Sequence, residues 1–283
     1  MSRYTIIGGD LRNLELAKEL INSGSSVDIY GFSKIELPSE IVSNKTMEES
    51  INNSDVLILP IIVLEDNKHI NTPYGDTKIE INDVISLIKF GQTVIGGKIN
   101  DNFKDVFNDK EIKYINILDN EEMAVLNAVV TAESAIGLAI YNTQITLNQN
   151  NSMVLGFGRI GKNLSKMLQG IGSNVYVGVR KKEDLAWIRG YNYTGIALNK
   201  IGQSIGKMDV IFNTIPKRIM DSETLAKINK QTLIVDLASG FDEDTINEFG
   251  LRVVKAKGLP GKMASKTSAK IMKEVIYGIE EKR

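Results

Sequence analysis

The stretch VLGFGRIGKNL, residues 154–164, decides how this chain of 283 residues is read. Gly156, Gly158 and Gly161 are spaced G-x-G-x-x-G, directly after the apolar run SMVLG (152–156). The segment that follows repeats Ile160, Leu164, Met167, Leu168 and Ile171 at helical spacing. In a strand-turn-helix unit the three glycines serve separate needs: a tight turn, close approach of backbone to a pyrophosphate, and close packing of helix on sheet. The first N–H groups of such a helix lack partners within it and carry partial positive charge, which suits a phosphate. Gly156, Gly158, Arg159, Ile160 and Gly161 are therefore the expected phosphate cradle of a dinucleotide site.

Outward from this turn, short β-branched runs alternate with helical segments along the whole chain, the pattern of parallel sheets with crossover helices. Strands are expected at 4–8, 26–31, 55–60, 93–97 and 112–117 in the first half, and at 152–156, 174–179, 209–214, 232–237 and 251–256 in the second. Leu11 to Ser23 and Ile81 to Phe90 read as helices. Glu121 to Thr146, rich in small residues and with Asp119 or Asn120 available as N-cap, reads as one long linking helix. Met263 to Glu281 reads as a last helix that crosses back to the first domain. The fold class is α/β: two doubly wound Rossmann-like domains with a cleft between them. The expected segments are 1–119 for the first domain, 120–146 for the linking helix, 147–261 for the cofactor domain and 262–283 for the C-terminal helix.

Composition narrows the function classes. A net charge of −1 removes any broad electrostatic signal for nucleic acid or an anionic membrane. The absence of cysteine removes disulfides, thiolate metal sites and cysteine nucleophiles together, and no metal-ligand spacing is present. No secretory signal and no apolar stretch long enough for a membrane helix are read from the sequence, so a cytoplasmic protein is expected.

Cofactor type is read one unit beyond the glycines. Where an NAD site would place an acid for the ribose hydroxyls, the chain reads VGVRKKED, with Arg180, Lys181 and Lys182 at the strand end. A guanidinium grips a 2′-phosphate bidentately and an acid repels it, so NADP is favoured over NAD. Asn213, Thr214, Ile215 and Pro216 end the next strand, and Ser239 lies in DLASG at the end of the one after it. Both strand ends are where ligands collect in a parallel sheet.

The single histidine, His69, lies in the polar stretch LEDNKHINTPYGD and reads as a surface residue. The D-2-hydroxy-acid dehydrogenases, with the same general layout, use a histidine late in the cofactor half, where this chain has none. In GLPGKMASKTSAK (258–270), a rigid turn leads into the last helix, and Lys262, Ser265 and Thr267 gather at its first turn. At the front, GGDLR offers Gly8 and Gly9 for close approach to a ligand, Asp10 as a helix cap and Arg12 as a carboxylate clamp.

Taken in order, GGDLRN, LNAVVTAESAI, LGFGRIGKNL, FNTIP, DLASG and GLPGKMASKTSAKI resemble the A-subunit family of dipicolinate synthase over almost the full length. The resemblance implies NADP-dependent oxidation of dihydrodipicolinate to dipicolinate in the mother cell of a sporulating bacterium. It also implies a partner, the flavoprotein-like B-subunit of the same synthase. Through the matching linking-helix motif it implies Asn127, Thr131 and Glu133 as cleft residues. Arg12 and Lys262 would then hold the two carboxylates from opposite domains, and Glu133 would accept the remaining proton. A homo-oligomer is expected. Two other readings fit the same residues: an NADP-dependent oxidoreductase of another small carboxylate, and a non-catalytic NADP-binding subunit that scaffolds its partner.

Overall fold

The computed structural model describes residues 2–39, 41 and 46–281, and the chain divides into two compact units, Met1–Leu126 with Gly261–Arg283, and Asn127–Pro260. Residues 282 and 283, which end the expected C-terminal segment, lie outside the described residues.

The first unit alternates β1 (Arg3–Ile7), α1 (Leu11–Asn22), β2 (Ser26–Tyr30), α2 (Met47–Asn53), β3 (Val56–Ile58), α3 (Ile81–Leu87), β4 (Thr93–Gly96), α4 (Asp101–Asp109) and β5 (Lys113–Asn116). Its sheet has the order β2-β1-β3-β4-β5, and neighbouring strands run parallel throughout. Parallel strands covered on both faces read as unbroken apolar runs, and β3 and β4 are buried at every position.

The helix α5 (Glu121–Asn142) leads into the second unit, which contains β6 (Asn151–Leu155), α6 (Arg159–Ile171), β7 (Asn174–Val179), α7 (Lys182–Gly190), β8 (Thr194–Ala197), β9 (Val210–Asn213), α8 (Ser222–Ala226), β10 (Leu233–Asp236), α9 (Glu243–Phe249) and β11 (Arg252–Lys255). Its sheet order is β11-β10-β9-β6-β7-β8, again all parallel. Counted from β6 this is the 3-2-1-4-5-6 order of the dinucleotide fold, and the first sheet has the 2-1-3-4-5 order of its shorter relatives. Each of the ten strands read from the sequence exists within a residue or two of its expected ends. The eleventh, β8, carries no such signature because TGIA is short, glycine-bearing and on an edge, where no apolar run is required.

The linking helix is shorter than expected, ending at Asn142, where Thr143 turns its hydroxyl back onto the Ala139 carbonyl at 2.9 Å. Against the sequence expectation, α5 is, among the described residues, one helix long and apolar enough by length and composition to cross a bilayer, and half of its apolar stretch is buried inside the chain. Met123 belongs to the core of the first unit, and Ala132, Ala135, Ile136 and Ala139 to that of the second. Such a helix is apolar all round because protein packs on more than one of its sides.

The chain closes through α10 (Leu259–Met263) and α11 (Ser265–Glu280), and α11 packs along α1 in the first unit. Ala269, Met272, Val275 and Ile276 of α11 enter the same core as Leu16, Ala17 and Leu20 of α1. Two polar ties flank this seam: Lys273 to Glu19 at 2.9 Å, and the Tyr4 hydroxyl donating to Glu280 at 2.5 Å. Burial first, and then the bond to Glu280, push the Tyr4 phenol well above the ordinary tyrosine range. A phenol held neutral in the fold contributes stability below about pH 10, where the unfolded chain is also neutral, and loses it as pH rises further. Tyr4→Phe is expected to cost about 1 kcal/mol at neutral pH and to flatten the alkaline loss of stability, measured as thermal midpoints from pH 7 to 11.

Candidate functional site

In the second unit the sheet reverses order between β6 and β9, and the glycine turn leaves the end of β6 at that point. Gly156 has φ +99, a backbone open to glycine at no steric cost, and a Cβ there would lie 2.5 Å from Thr214 Oγ1. Thr214 is held in place by donating both its N–H and its hydroxyl to the Leu155 carbonyl, at 3.0 and 2.7 Å. Gly161 admits no side chain either, because a Cβ would stand 2.2 Å from the Gly156 carbonyl oxygen. The remaining glycine differs. Gly158 is the N-cap of α6, has an ordinary extended backbone, and a Cβ on it would meet nothing within 4 Å.

This is the fit a pyrophosphate requires. The space over Gly158 is open, and no side chain caps α6, so its first N–H groups are left for an anion. Arg159 and Ile160 open the helix beside it. At the end of β7, Arg180 is exposed, and Lys181, the N-cap of α7, is exposed beside it.

The other two strand ends are built differently from the sequence expectation. Asn213 is buried and its amide is spent internally: Nδ2 donates to Asp236 Oδ1 at 2.8 Å, and Oδ1 accepts from Ile215 N at 3.1 Å. Asp236, which nothing local in the sequence singles out, also accepts from the backbone N–H groups of Ala238, Gly240 and Phe241. This carboxylate thereby shapes the turn that carries Ser239, a non-glycine residue at φ +57. Asn213 positions Ile215, Pro216 and Ser239 and leaves no amide group for a cofactor.

The first unit has the same turn in altered form. The ends of β1 and β6 superpose in sequence as GGDLRN (8–13) on GFGRIG (156–161), because both helices begin three residues past the strand-end glycine. Gly8, at φ +68, stands for Gly156; Asp10 for Gly158; Arg12 for Ile160; Asn13 for Gly161. Where α6 is uncapped, α1 is capped by Asp10, whose carboxylate accepts from Arg12 N at 3.0 Å. The same carboxylate takes Arg12 Nε at 2.9 and 3.1 Å and Nη2 at 2.7 Å. The Asp10 carboxylate occupies the helix N-terminus that a phosphate would need, so only one of the two turns leaves its first N–H groups open to a dinucleotide.

Lys262 lies in α10, one break before α11, and does not share a helical turn with Ser265 and Thr267 as expected. It also lies in the same unit as Arg12, which corrects the expectation that the two approach from opposite domains. Its neighbour Gly261 packs on Asp10, with a Cβ position only 2.3 Å from Oδ2. On α5, Thr131 turns its hydroxyl back to the Asn127 carbonyl at 2.7 Å, while Asn127 Oδ1 is buried without a partner among the described residues. Glu133 is exposed and stands about 160° around the helix from Thr131 at about 100° per residue. These three residues therefore do not share one face. His69 is a structural residue of its loop: its Nδ1 meets Asp66 at 2.8 Å, and that bond draws the Asp66 carboxyl well below the usual carboxylate range.

An open glycine turn at the reversal of a 3-2-1-4-5-6 sheet, preceded in the chain by a second α/β unit, defines the dehydrogenase-like oxidoreductases that use a nicotinamide cofactor. Residues 137–248 match the family described as D-isomer specific 2-hydroxyacid dehydrogenase, NAD binding domain. Over nearly its full length the chain is similar to the A-subunit of dipicolinate synthase. Residues 3–118 match the family described as the N-terminal domain of that A-subunit. The dipicolinate synthase A-subunit of Bacillus subtilis (strain 168) is 26% identical over 279 residues, covering 97% of this chain and 94% of the relative. The crystal structure of its counterpart from Bacillus halodurans has a TM-score of 0.87 at 26% identity, covering 98% of this chain and 97% of that one. A transhydrogenase from Sinorhizobium meliloti shares the fold, with a TM-score of 0.68 at 15% identity over 98% of this chain and 93% of that one.

The contrast between Gly158 and Gly161 is testable. Gly158→Ala should leave the thermal midpoint within about 2 °C, since its Cβ meets nothing, yet weaken dinucleotide binding about tenfold or more by filling the phosphate's place. Gly161→Ala should cost about 2–3 kcal/mol of stability by overpacking. Thermal unfolding and cofactor titration of the two variants separate these outcomes.

Proposed function

We propose that the chain is an NADP-linked oxidoreductase that converts dihydrodipicolinate to dipicolinate. The observation that carries this reading is the division of labour between two like turns, one open and uncapped at Gly158, the other filled by Asp10 and Arg12. The full-length likeness to the dipicolinate synthase A-subunit supports the substrate.

When bound over Gly156, Gly158 and Gly161, a nicotinamide dinucleotide supplies the hydride acceptor. The chain's own residues bind and orient. The first N–H groups of α6 hold the pyrophosphate, with Arg159 and Ile160 beside it, and Arg180 and Lys181 hold the 2′-phosphate. Thr214, Ile215, Pro216 and Ser239 bound the site on the adjoining strand ends. The substrate is a flat dianion, and Arg12 and Lys262 supply a cation for each carboxylate. Asn127 and Thr131 add polar contacts. Loss of one hydride and one proton makes the dihydropyridine ring aromatic, so orientation of the ring contributes more than strong base catalysis. Glu133, on the other side of α5 from Thr131, is not assigned to this site, and the ring proton passes to solvent.

The flavoprotein-like B-subunit is the proposed partner, in a homo-oligomeric assembly in the cytoplasm of a sporulating mother cell. One observation favours a second reading, in which the chain binds NADP and scaffolds that partner without catalysis: the exposed Glu133 makes no hydrogen bond among the described residues, so nothing fixes it as a base.

The purified chain, alone and with the partner, is given dihydrodipicolinate and NADP. Absorbance of the reduced cofactor is expected to rise with the appearance of dipicolinate; no turnover in either mixture sinks the enzymatic reading and leaves the scaffold. Arg180→Asp should weaken NADP by about tenfold or more relative to NAD, and equal loss for both cofactors would refute the role of Arg180.

A further inference from the structure

The first unit contains a buried arrangement that its own packing does not use. Arg12 is 4% exposed. Asp10 engages it from the side, through Nε and Nη2, which leaves the end of the guanidinium uncommitted; Nη1 makes no hydrogen bond among the described residues. A guanidinium has two edges that match a carboxylate, and only one is filled. Asp10 cannot swing away, because it also caps α1 and the backbone of Gly261 lies against its oxygens.

Asn13 is the stranger residue. On α1 the buried stripe is Asn13, Leu16, Ala17 and Leu20, at i, i+3, i+4 and i+7, where an apolar side chain would be expected at every position. On α6 the same stripe is Gly161, Leu164, Ser165 and Leu168. Asn13 is 1% exposed, and its Nδ2 is buried with no hydrogen-bond partner among the described residues. Its amide folds back over the strand-helix turn: Asn13 Cγ lies 2.3 Å from where a Cβ on Gly9 would stand. Helical side chains lean toward the N-terminus, so Arg12 and Asn13 both reach back to the mouth of α1. A buried amide without a partner weakens a fold unless something else completes it.

We propose that Asp10, Arg12 and Asn13 form the anchor for one carboxylate of a planar carboxylic acid, built on a strand-helix turn that in the second unit takes a dinucleotide. Arg12 grips the carboxylate with its open edge, Asn13 donates the neutral hydrogen bond, and Asp10 is the positioning residue that presents the guanidinium. The inference rests on the function proposed above and deepens it by naming the residues that complete the substrate contact.

The test is titration of dipicolinate into the full chain with NADP present, beside an NADP titration and a thermal melt for each variant. Asn13→Leu should leave the melting temperature unchanged or raise it, because it removes an unsatisfied buried amide, and should weaken dipicolinate about tenfold. Asn13→Ala repeats the measurement in a smaller side chain should leucine not fold. Asp10→Asn keeps the cap and should weaken dipicolinate by a similar factor, while Arg12→Lys, which keeps the charge and loses the fork, should weaken it further. All of these variants should retain wild-type affinity for NADP. If Asn13→Leu and Asp10→Asn bind dipicolinate as wild type does, this inference falls and the proposed function stands. A loss of affinity that tracks a fall in melting temperature assigns Asn13 to packing and also overturns it. A wild-type chain that binds NADP and not dipicolinate overturns both.

Discussion

At Gly161 a single hydrogen stands where any other residue would put a methyl group 2.2 Å from the Gly156 carbonyl oxygen. That approach of helix backbone to strand end sets where α6 begins, how its uncapped N–H groups point, and how far Gly158 stands back from them. Everything proposed for the cofactor depends on it, because an anion site made of backbone dipoles is only as good as their aim. The neighbouring strand end is held to the same standard: Thr214 is tied twice to Leu155, and Asp236 gathers three backbone N–H groups and the Asn213 amide into one turn. The strand ends beside the open space over Gly158 are thus tied by hydrogen bonds.

The first unit shows what becomes of the same geometry when the glycine constraint is released. With Asp10 at the position of Gly158 and Asn13 at that of Gly161, the helix supplies its own anion and folds its own polar side chains over the turn. The result is a site with the opposite preference. The cap on α1 takes the N–H groups a phosphate would use, and the open end of the Arg12 guanidinium is what we propose for a small carboxylate. In the functions proposed for them, two turns of one template serve two chemistries by exchange of a few residues, on strands of the same parallel kind.

Much of this is legible in the amino-acid sequence. G-x-G-x-x-G between an apolar strand and an amphipathic helix is local chemistry, and so are the RKK cluster at 180–182 and the capping aspartate at 10. Strand runs such as VIFN and LIVD stand out because a parallel sheet is buried on both faces. The edge strand β8 does not, since an edge asks little of its sequence. Asn213 misleads for a related reason: at a strand end an amide aimed at a ligand and one aimed at a neighbouring carboxylate have the same letter, and only the register of β9 against β10 distinguishes them.

The sequence by itself determined the class of fold, the turn that takes the dinucleotide and the resemblance to the dipicolinate synthase A-subunit, because each rests on residues close together in the chain or on their order along it. Tertiary structure decided the rest. Which carbonyl Thr214 holds, and whether Lys262 groups with Arg12, depend on how the chain is packed. The Nδ2 of Asn13, buried and without a partner among the described residues, is the clearest case: the letter N at position 13 is ordinary in a helix, and only its burial against Gly9 makes it a donor in want of an acceptor.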